Sequence, residues 1–308
     1  MINLGYPCIN TELNSLPKAK RVTTNRSMIR KTFLAHGLPH ASALGLANAK
    51  DLLKILEWNE EHNIKFFRLS SDIFPWCSEY NLSDLPDYAE IKHHLRQAGD
   101  YATANGHRIT THPGPFNVLG SPNPKTVDKT IKDLETHSEV FDLMGFGPSY
   151  YNKINIHVGG TYGGDFVGTA ARWCEAYQRL SPNCRARLTL ENDDKASMWS
   201  TKHLYDHIHT KVGVPIVFDF HHHKFCTGGQ TEQEALNLAI STWPEGIVPV
   251  VHYSQDRSVE HDDPKIRPQA HSDSYWTPID THGCTVDVML ECKHKQRGLF
   301  KMRELLSL

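Results

Sequence analysis

The chain has 308 residues, 39 % hydrophobic and 22 % charged, which is enough apolar material to bury a sizeable core. Its 33 basic and 35 acidic residues leave a formal charge of −2, which excludes a global positive field for holding nucleic acid and confines any basic footprint to local stretches. The opening MINLGYPCIN lacks a charged-then-apolar leader, and no apolar run approaches the roughly 18 residues of a membrane span. Seven scattered cysteines without a CxxC pair fit a reducing interior better than a disulfide framework. Histidine is the outlier, with 20 residues, so their placement has to decide between metal ligation and polar surface.

In chain order, short apolar runs alternate with longer amphipathic stretches, the pattern of βα units around a parallel sheet. The spacing predicts strands at Ile2–Tyr6, Lys65–Leu69, Arg108–Thr111 and Lys153–Ile156. Four more follow at Arg187–Leu190, Pro215–Phe218, Val248–Val251 and Thr285–Leu290. Helical patterns occupy Asn48–His62, Tyr88–Asn105, Thr126–Met144 and Gly168–Leu180, with shorter ones at Ser200–Thr210, Thr231–Thr242 and Lys295–Leu305. No GxGxxG turn follows the first strand, which counts against a dinucleotide fold. The expected fold class is α/β, a (β/α)8 TIM barrel forming one domain over residues 1–308. Two connections exceed a plain barrel's needs, Pro7 to Leu46 after the first strand and Tyr253 to Cys284 after the seventh. Both leave the face where barrel enzymes keep their chemistry, and long irregular connections there are often binding loops.

Strand termini carry the chemical signal. RITTH, INIH, LTLE, IVFD, VPVVH and VMLE end at His112, His157, Glu191, Asp219, His252 and Glu291. A single His or Glu after an apolar run is commonly a hydrogen-bonded core-edge residue. Six in one register, with no Lys, Ser or Asn among them, point instead to a shared site at the barrel mouth. Three imidazoles with three carboxylates suit zinc, manganese or iron better than magnesium or calcium alone. More than four ligands overfill a tetrahedral site, so two or more ions sharing a carboxylate is the economical arrangement. Close metal pairs clamp the attacking and leaving oxygens of a phosphoryl centre, which makes phosphodiester hydrolysis the natural reaction. Of His221, His222 and His223, one can add a ligand while the others face solvent or phosphate. His207 and His209, and His93 and His94, fall in helical segments and read as surface.

The chain resembles the ultraviolet-damage endonuclease family, related in fold and metal site to endonuclease IV. The motifs that carry the resemblance are LGYPC at Leu4–Cys8, TTNR at Thr23–Arg26, FRLSSD at Phe67–Asp72, HPG at His112–Gly114 and GSP at Gly120–Pro122. HVGGTYG at His157–Gly163, LEND at Leu190–Asp193, VFDFHHH at Val217–His223, HYSQD at His252–Asp256, RPQAH at Arg267–His271 and VMLECK at Val288–Lys293 complete the series. The resemblance implies a metal-dependent endodeoxyribonuclease for DNA repair. Such an enzyme cuts immediately 5′ of cyclobutane pyrimidine dimers, 6-4 photoproducts and other lesions, with abasic sites a further candidate substrate. It implies a cluster of two or three divalent ions, manganese with zinc as the alternative. By matched position, His112, His157 and Glu191 hold one ion, and Glu191 bridges to a second held by Asp219, His252 and Glu291. His222 and His271 hold a third. The implied partner is damaged double-stranded DNA, met by a monomer. The expected location is cytoplasmic, at the nucleoid, or nuclear in a eukaryote.

Tyr6 and Asn10 match positions that contact the damaged nucleotides. Family members often carry glutamine-tyrosine after HPG as a probing pair; here Pro115 and Phe116 stand there, followed by Asn117. Phe116 is expected to act as a stacking wedge and Tyr6 to line the receiving site, the alternative being that Phe116 packs beneath the loop Pro115–Pro122. Two further departures are Val250 in place of a family lysine and Glu79 in place of a family histidine. Basic residues crowd both long loops: Lys18, Lys20, Arg21, Arg26, Arg30 and Lys31 on the first, and Arg257, Lys265 and Arg267 on the second. Two rival readings remain open from sequence, a divalent-metal sugar isomerase on the same barrel and a damage-binding protein without activity.

Overall fold

The structure, a computed structural model, describes residues 2–308. Eight short strands are laid down as β1 (Asn3–Pro7), β2 (Phe66–Leu69), β3 (Arg108–Thr111), β4 (Ile154–Ile156), β5 (Leu188–Glu191), β6 (Ile216–Asp219), β7 (Val250–Tyr253) and β8 (Asp287–Leu290). They close in chain order into a barrel, and β8 pairs in parallel with β1, Asn3 lying opposite Asp287. This is the expected TIM barrel, with each strand edge displaced from its sequence estimate by no more than two residues.

Alternation along the strands sorts their side chains into two environments. Leu4, Tyr6, Phe67, Leu69, Ile109, Ile154, Ile156, Leu188 and Leu190 join the large core shared with the surrounding helices. The opposite parity supplies Phe66, Val217, Val250 and Met289, which form a separate cluster inside the barrel with Trp243 beneath them. Residues at or just beyond the upper strand ends inherit that inward parity, so the sheet itself aims them at the mouth.

The helices fall where the periodicity placed them, with two informative exceptions. The segment Arg30–Glu61 is helical throughout except at Gly37, whose φ of 59° breaks it ahead of Pro39. That interruption hides the helical period, so the first connection reads as a long loop until Leu46 although it is irregular only as far as Ile29. Ser200–Thr210 also departs from a simple helix: Tyr205–His209 forms a π turn between the short helices Thr201–Leu204 and Thr210–Val212. The second long connection behaves as expected. It carries one short helix, Arg257–Glu260, and folds back through an antiparallel bridge between Asp256 and His271. Among the described residues, no helix is long and apolar enough to cross a membrane.

Candidate functional site

His112, His157, Glu191, Asp219, His252 and Glu291 converge at the upper end of the barrel. Glu191 is their hub. Its Oε2 lies 3.1 Å from His112 Nε2, 3.8 Å from His157 Nε2 and 3.1 Å from His252 Nδ1. Its Oε1 lies 3.4 Å from His222 Nδ1. His252 Nδ1 is also 3.2 Å from Glu291 Oε1. Three triads result, each with its donor atoms mutually within 4.8 Å: His112–His157–Glu191, Glu191–Asp219–His222 and Asp219–His252–Glu291. The residues expected to share a centre are therefore brought together. The expected His222–His271 pair is spread wider, with ring centroids 6.0 Å apart and His271 Nδ1 3.7 Å from Glu291 Oε2.

A second layer fixes these side chains. Asn155 Nδ2 donates to Glu191 Oε2, and Arg68 pairs with Glu291. Asn192 closes on β6, its amide donating to the Asp219 carbonyl at 3.0 Å while its oxygen accepts from the Asp219 N–H at 2.8 Å. Asp193 Oδ1 stands 3.1 Å from His157 Nδ1. Lys153 crosses the lumen to within 3.3 Å of His252 Nε2. None of these was singled out from sequence. The signal was available, because Lys153, Asn155 and His157 alternate along one strand and so share a face.

Burial and mutual charge set unusual protonation states. Burial works against the Glu191 charge, but His252, His157 and a hydrogen bond from His112 hold its carboxyl well below the ordinary range. Burial raises Asp219 to about 6, reinforced by the neighbouring Glu191 and Glu291 charges. The same desolvation brings His252 down to about 4 and Lys153 down to about 7. At His157 burial is outweighed by Glu191 and Asp193, and the ring is lifted to about 10.

The donor set fits divalent transition ions. Asp219 Oδ2 is buried without a hydrogen-bond partner among the described residues, and the buried His252 Nδ1 faces the Glu191 and Glu291 carboxylates. Orphaned buried polar atoms cost roughly 1–3 kcal/mol each, and lone pairs converging on shared points are what a cation satisfies. Imidazole with carboxylate suits manganese or zinc.

Beside the mouth a cavity of about 620 Å³ opens between Trp76, Phe74, Met28 and the Pro115–Asn117 loop. Phe116 is 70 % exposed, so it does not pack beneath its loop. Its ring folds back over Gly114, where an added Cβ would lie 2.4 Å from Phe116 Cε1 and would push the exposed ring aside. Pro115 is exposed beside it, whereas Asn117 is buried and donates to Asp133 Oδ2 at 2.7 Å. Asn117 is therefore a brace for the loop rather than a contact surface.

Other expected contacts are also turned inward. Tyr6 has the outward parity of β1 and is fully buried, donating to Asn59 Oδ1 at 2.7 Å, so it does not line an open receiving site. Asn10 is buried too, bonded to the Tyr6 hydroxyl and capping the helix Thr11–Asn14. Arg26 is tied to Asp51 at 2.6 Å and to neighbouring carbonyls, which commits it to holding the first loop. Arg267, Lys18, Lys20, Arg21, Arg30, Lys31 and Lys265 remain exposed. His221 and His223 are buried, contrary to the solvent placement expected for them, because the short helix Phe220–His223 packs against β6 and β7. Glu79 pairs with Lys129 at 2.6 Å, outside the mouth, and His209 Nδ1 meets the Val214 carbonyl at 2.9 Å.

The family described as UV-endonuclease UvdE matches residues 2–308. A UV-damage endonuclease of Schizosaccharomyces pombe is 36 % identical over 97 % of the chain and 50 % of its own length. The chain thus spans about half the length of that curated relative. The crystal structure of SacUVDE superposes with a TM-score of 0.82 at 29 % identity, covering 100 % of this chain and 98 % of the other. Endonuclease IV from Thermus thermophilus, at 12 % identity and a TM-score of 0.56 over 99 % of both chains, shares the fold.

Proposed function

The chain belongs to the UV-endonuclease UvdE family, and on that premise we propose that it is a metal-dependent repair endonuclease that hydrolyses the phosphodiester 5′ of ultraviolet photoproducts in duplex DNA. The observation that carries the reading is the convergence of the mouth triads around Glu191, with the buried Asp219 Oδ2 left unpartnered among them. His112, His157 and Glu191 would hold one ion, and Asp219, His252 and Glu291 a second, with Glu191 common to both and His222 and His271 available to a third. Manganese is the proposed occupant, and zinc also suits the donors. Bound ions of this kind supply positive charge to phosphoryl oxygens and acidify water.

The chain's own residues supply placement. Asn155 and Arg68 hold the Glu191 and Glu291 carboxylates in single orientations, and Asp193 fixes the tautomer and tilt of His157. Exposed lysines and arginines on the two long loops give the local basic stripe that phosphates need. A photoproduct weakens pairing and stacking, so extruding damaged nucleotides costs less than extruding intact ones. The exposed Phe116 ring then fills the vacated stack, a role that asks only for an aromatic face.

The test is to incubate irradiated and unirradiated supercoiled plasmid with the manganese-loaded protein. Nicks confined to irradiated plasmid are expected, with more than one transition-metal equivalent per chain by elemental analysis. Equal nicking of both plasmids would overturn the lesion specificity. One ion or fewer in a folded, metal-replete sample would overturn the polynuclear centre.

A further inference from the structure

Beneath the Phe116 loop, apart from the mouth ligands, lies a second cluster of metal-binding chemistry. Asp133 and His137 sit one turn apart on the helix Pro124–Met144 and so share a face. Cys77, on the short 3-10 turn Cys77–Glu79, meets that face from the other side. All three residues are buried, and one donor atom from each lies within 4.8 Å of the others. We propose that Cys77, Asp133 and His137 form a separate site for a single zinc-type transition ion.

Three observations support the assignment. First, thiolate, imidazole and carboxylate together make a soft-to-borderline ligand set that selects zinc over hard ions. Second, the spacing is right. Cys77 Sγ lies 3.1 Å from Asp133 Oδ1, and His137 Nε2 lies 3.8 Å from Asp133 Oδ2. Bonds of about 2.0–2.3 Å in a tetrahedral zinc site separate its ligand atoms by roughly 3.3–3.8 Å, so little movement is needed to admit an ion. Third, His137 is only 4 % exposed, yet its nearest charged neighbour stands beyond hydrogen-bond reach. Its Nε2 faces the Asp133 carboxylate of the cluster.

An entry path exists. Cys77, Asp133 and Asp72 line the cavity that opens beside Phe116, and a water from that cavity would complete the fourth position. Burial and the Asp133 carboxylate push the Cys77 thiol well above its ordinary range, so without an ion the sulfur keeps its proton and donates to Asp133. Capture of the ion displaces that proton to solvent. Asn117 donates to the other Asp133 oxygen at 2.7 Å, so an ion here would pin the base of the Phe116 loop to the helix.

Cobalt(II) reports the site directly, because a cysteine ligand gives a thiolate-to-cobalt charge-transfer band that imidazole and carboxylate donors cannot give. The full chain, stripped by chelator and saturated with cobalt, is expected to develop that band. Cys77→Ser should abolish it and carry one ion fewer per chain, whereas Cys8→Ser, near Arg68 at the mouth, should keep it. His137→Gln should retain a thiolate band that fills only at several-fold higher cobalt, which keeps the proposal testable if the serine variant does not fold. Absence of the band in the saturated wild type, its survival in Cys77→Ser, or unchanged cobalt affinity in His137→Gln would each overturn the site.

Discussion

At the floor of the barrel Arg108 crosses the lumen to Asp287 at 2.7 Å and donates to the carbonyls of Tyr151 and Val248, each at 2.8 Å. At the mouth, Asp219 and His252 are just as deeply buried, yet Asp219 Oδ2 has no hydrogen-bond partner among the described residues and His252 Nδ1 faces two carboxylates. Both ends therefore carry desolvated charge on strand positions of the same parity. The floor is closed by the chain itself, as a stabilising network should be. The mouth instead crowds carboxylates and imidazoles on one another, with Asp219 Oδ2 left unserved among them. Buried atoms without a partner also occur near the floor, at His107 Nδ1 and Arg187 Nε, but at the mouth the unserved Asp219 Oδ2 sits within clustered carboxylates and imidazoles, the arrangement that a cation fits.

Three substitutions probe that contrast. Glu191→Gln removes the hub's negative charge while keeping its shape, so nicking should fall on the order of 10⁴-fold, about 5 kcal/mol of barrier, with the far-ultraviolet dichroism unchanged. Nicking within about tenfold of wild type would show that Glu191 is not shared between ions. Arg108→Met should do the reverse. It leaves Asp287 buried without its cation, so chemical denaturation should register a loss of about 3 kcal/mol, with metal content per folded molecule retained. A floor variant that loses ions but keeps its stability would erase the distinction between the two ends. The smallest effect belongs to the rim. Phe116→Ala should weaken binding to dimer-containing duplex by about 1–3 kcal/mol, with melting temperature and metal content nearly constant. A stability loss of several kcal/mol, with unaltered affinity per folded molecule, would make Phe116 a packing residue after all.

What could be read in advance follows from how local each constraint is. The eight strands and their mouth residues were legible because alternation is a property of consecutive residues, and a strand end is visible where the apolar run stops. Tyr6 was misjudged by parity: it sits beside inward-facing Gly5 and Pro7 on β1 but points the other way, into the helix layer. Asn10, Arg26 and Asn117 look available in the sequence, but short-range bonds to Tyr6, Asp51 and Asp133 consume them. The Gly37 break concealed a helix whose two halves are joined in space. No local pattern could pair Cys77 with Asp133, 56 residues apart, because only the packing of the 3-10 turn on its neighbouring helix brings them together.

The lumen cations have a bearing on how the protein comes to be assembled. Arg68 and Lys153 lie under a carboxylate-rich mouth and belong to the chain. With that countercharge built in, Glu191 and Glu291 can be drawn together while the barrel closes, before any ion arrives. Lys153, brought down to about 7 by burial, would then give up its proton easily to the proposed divalent charge above it. On the proposed function, folding and loading would then be separate events, in that order, and the finished barrel would offer the ions a ready socket.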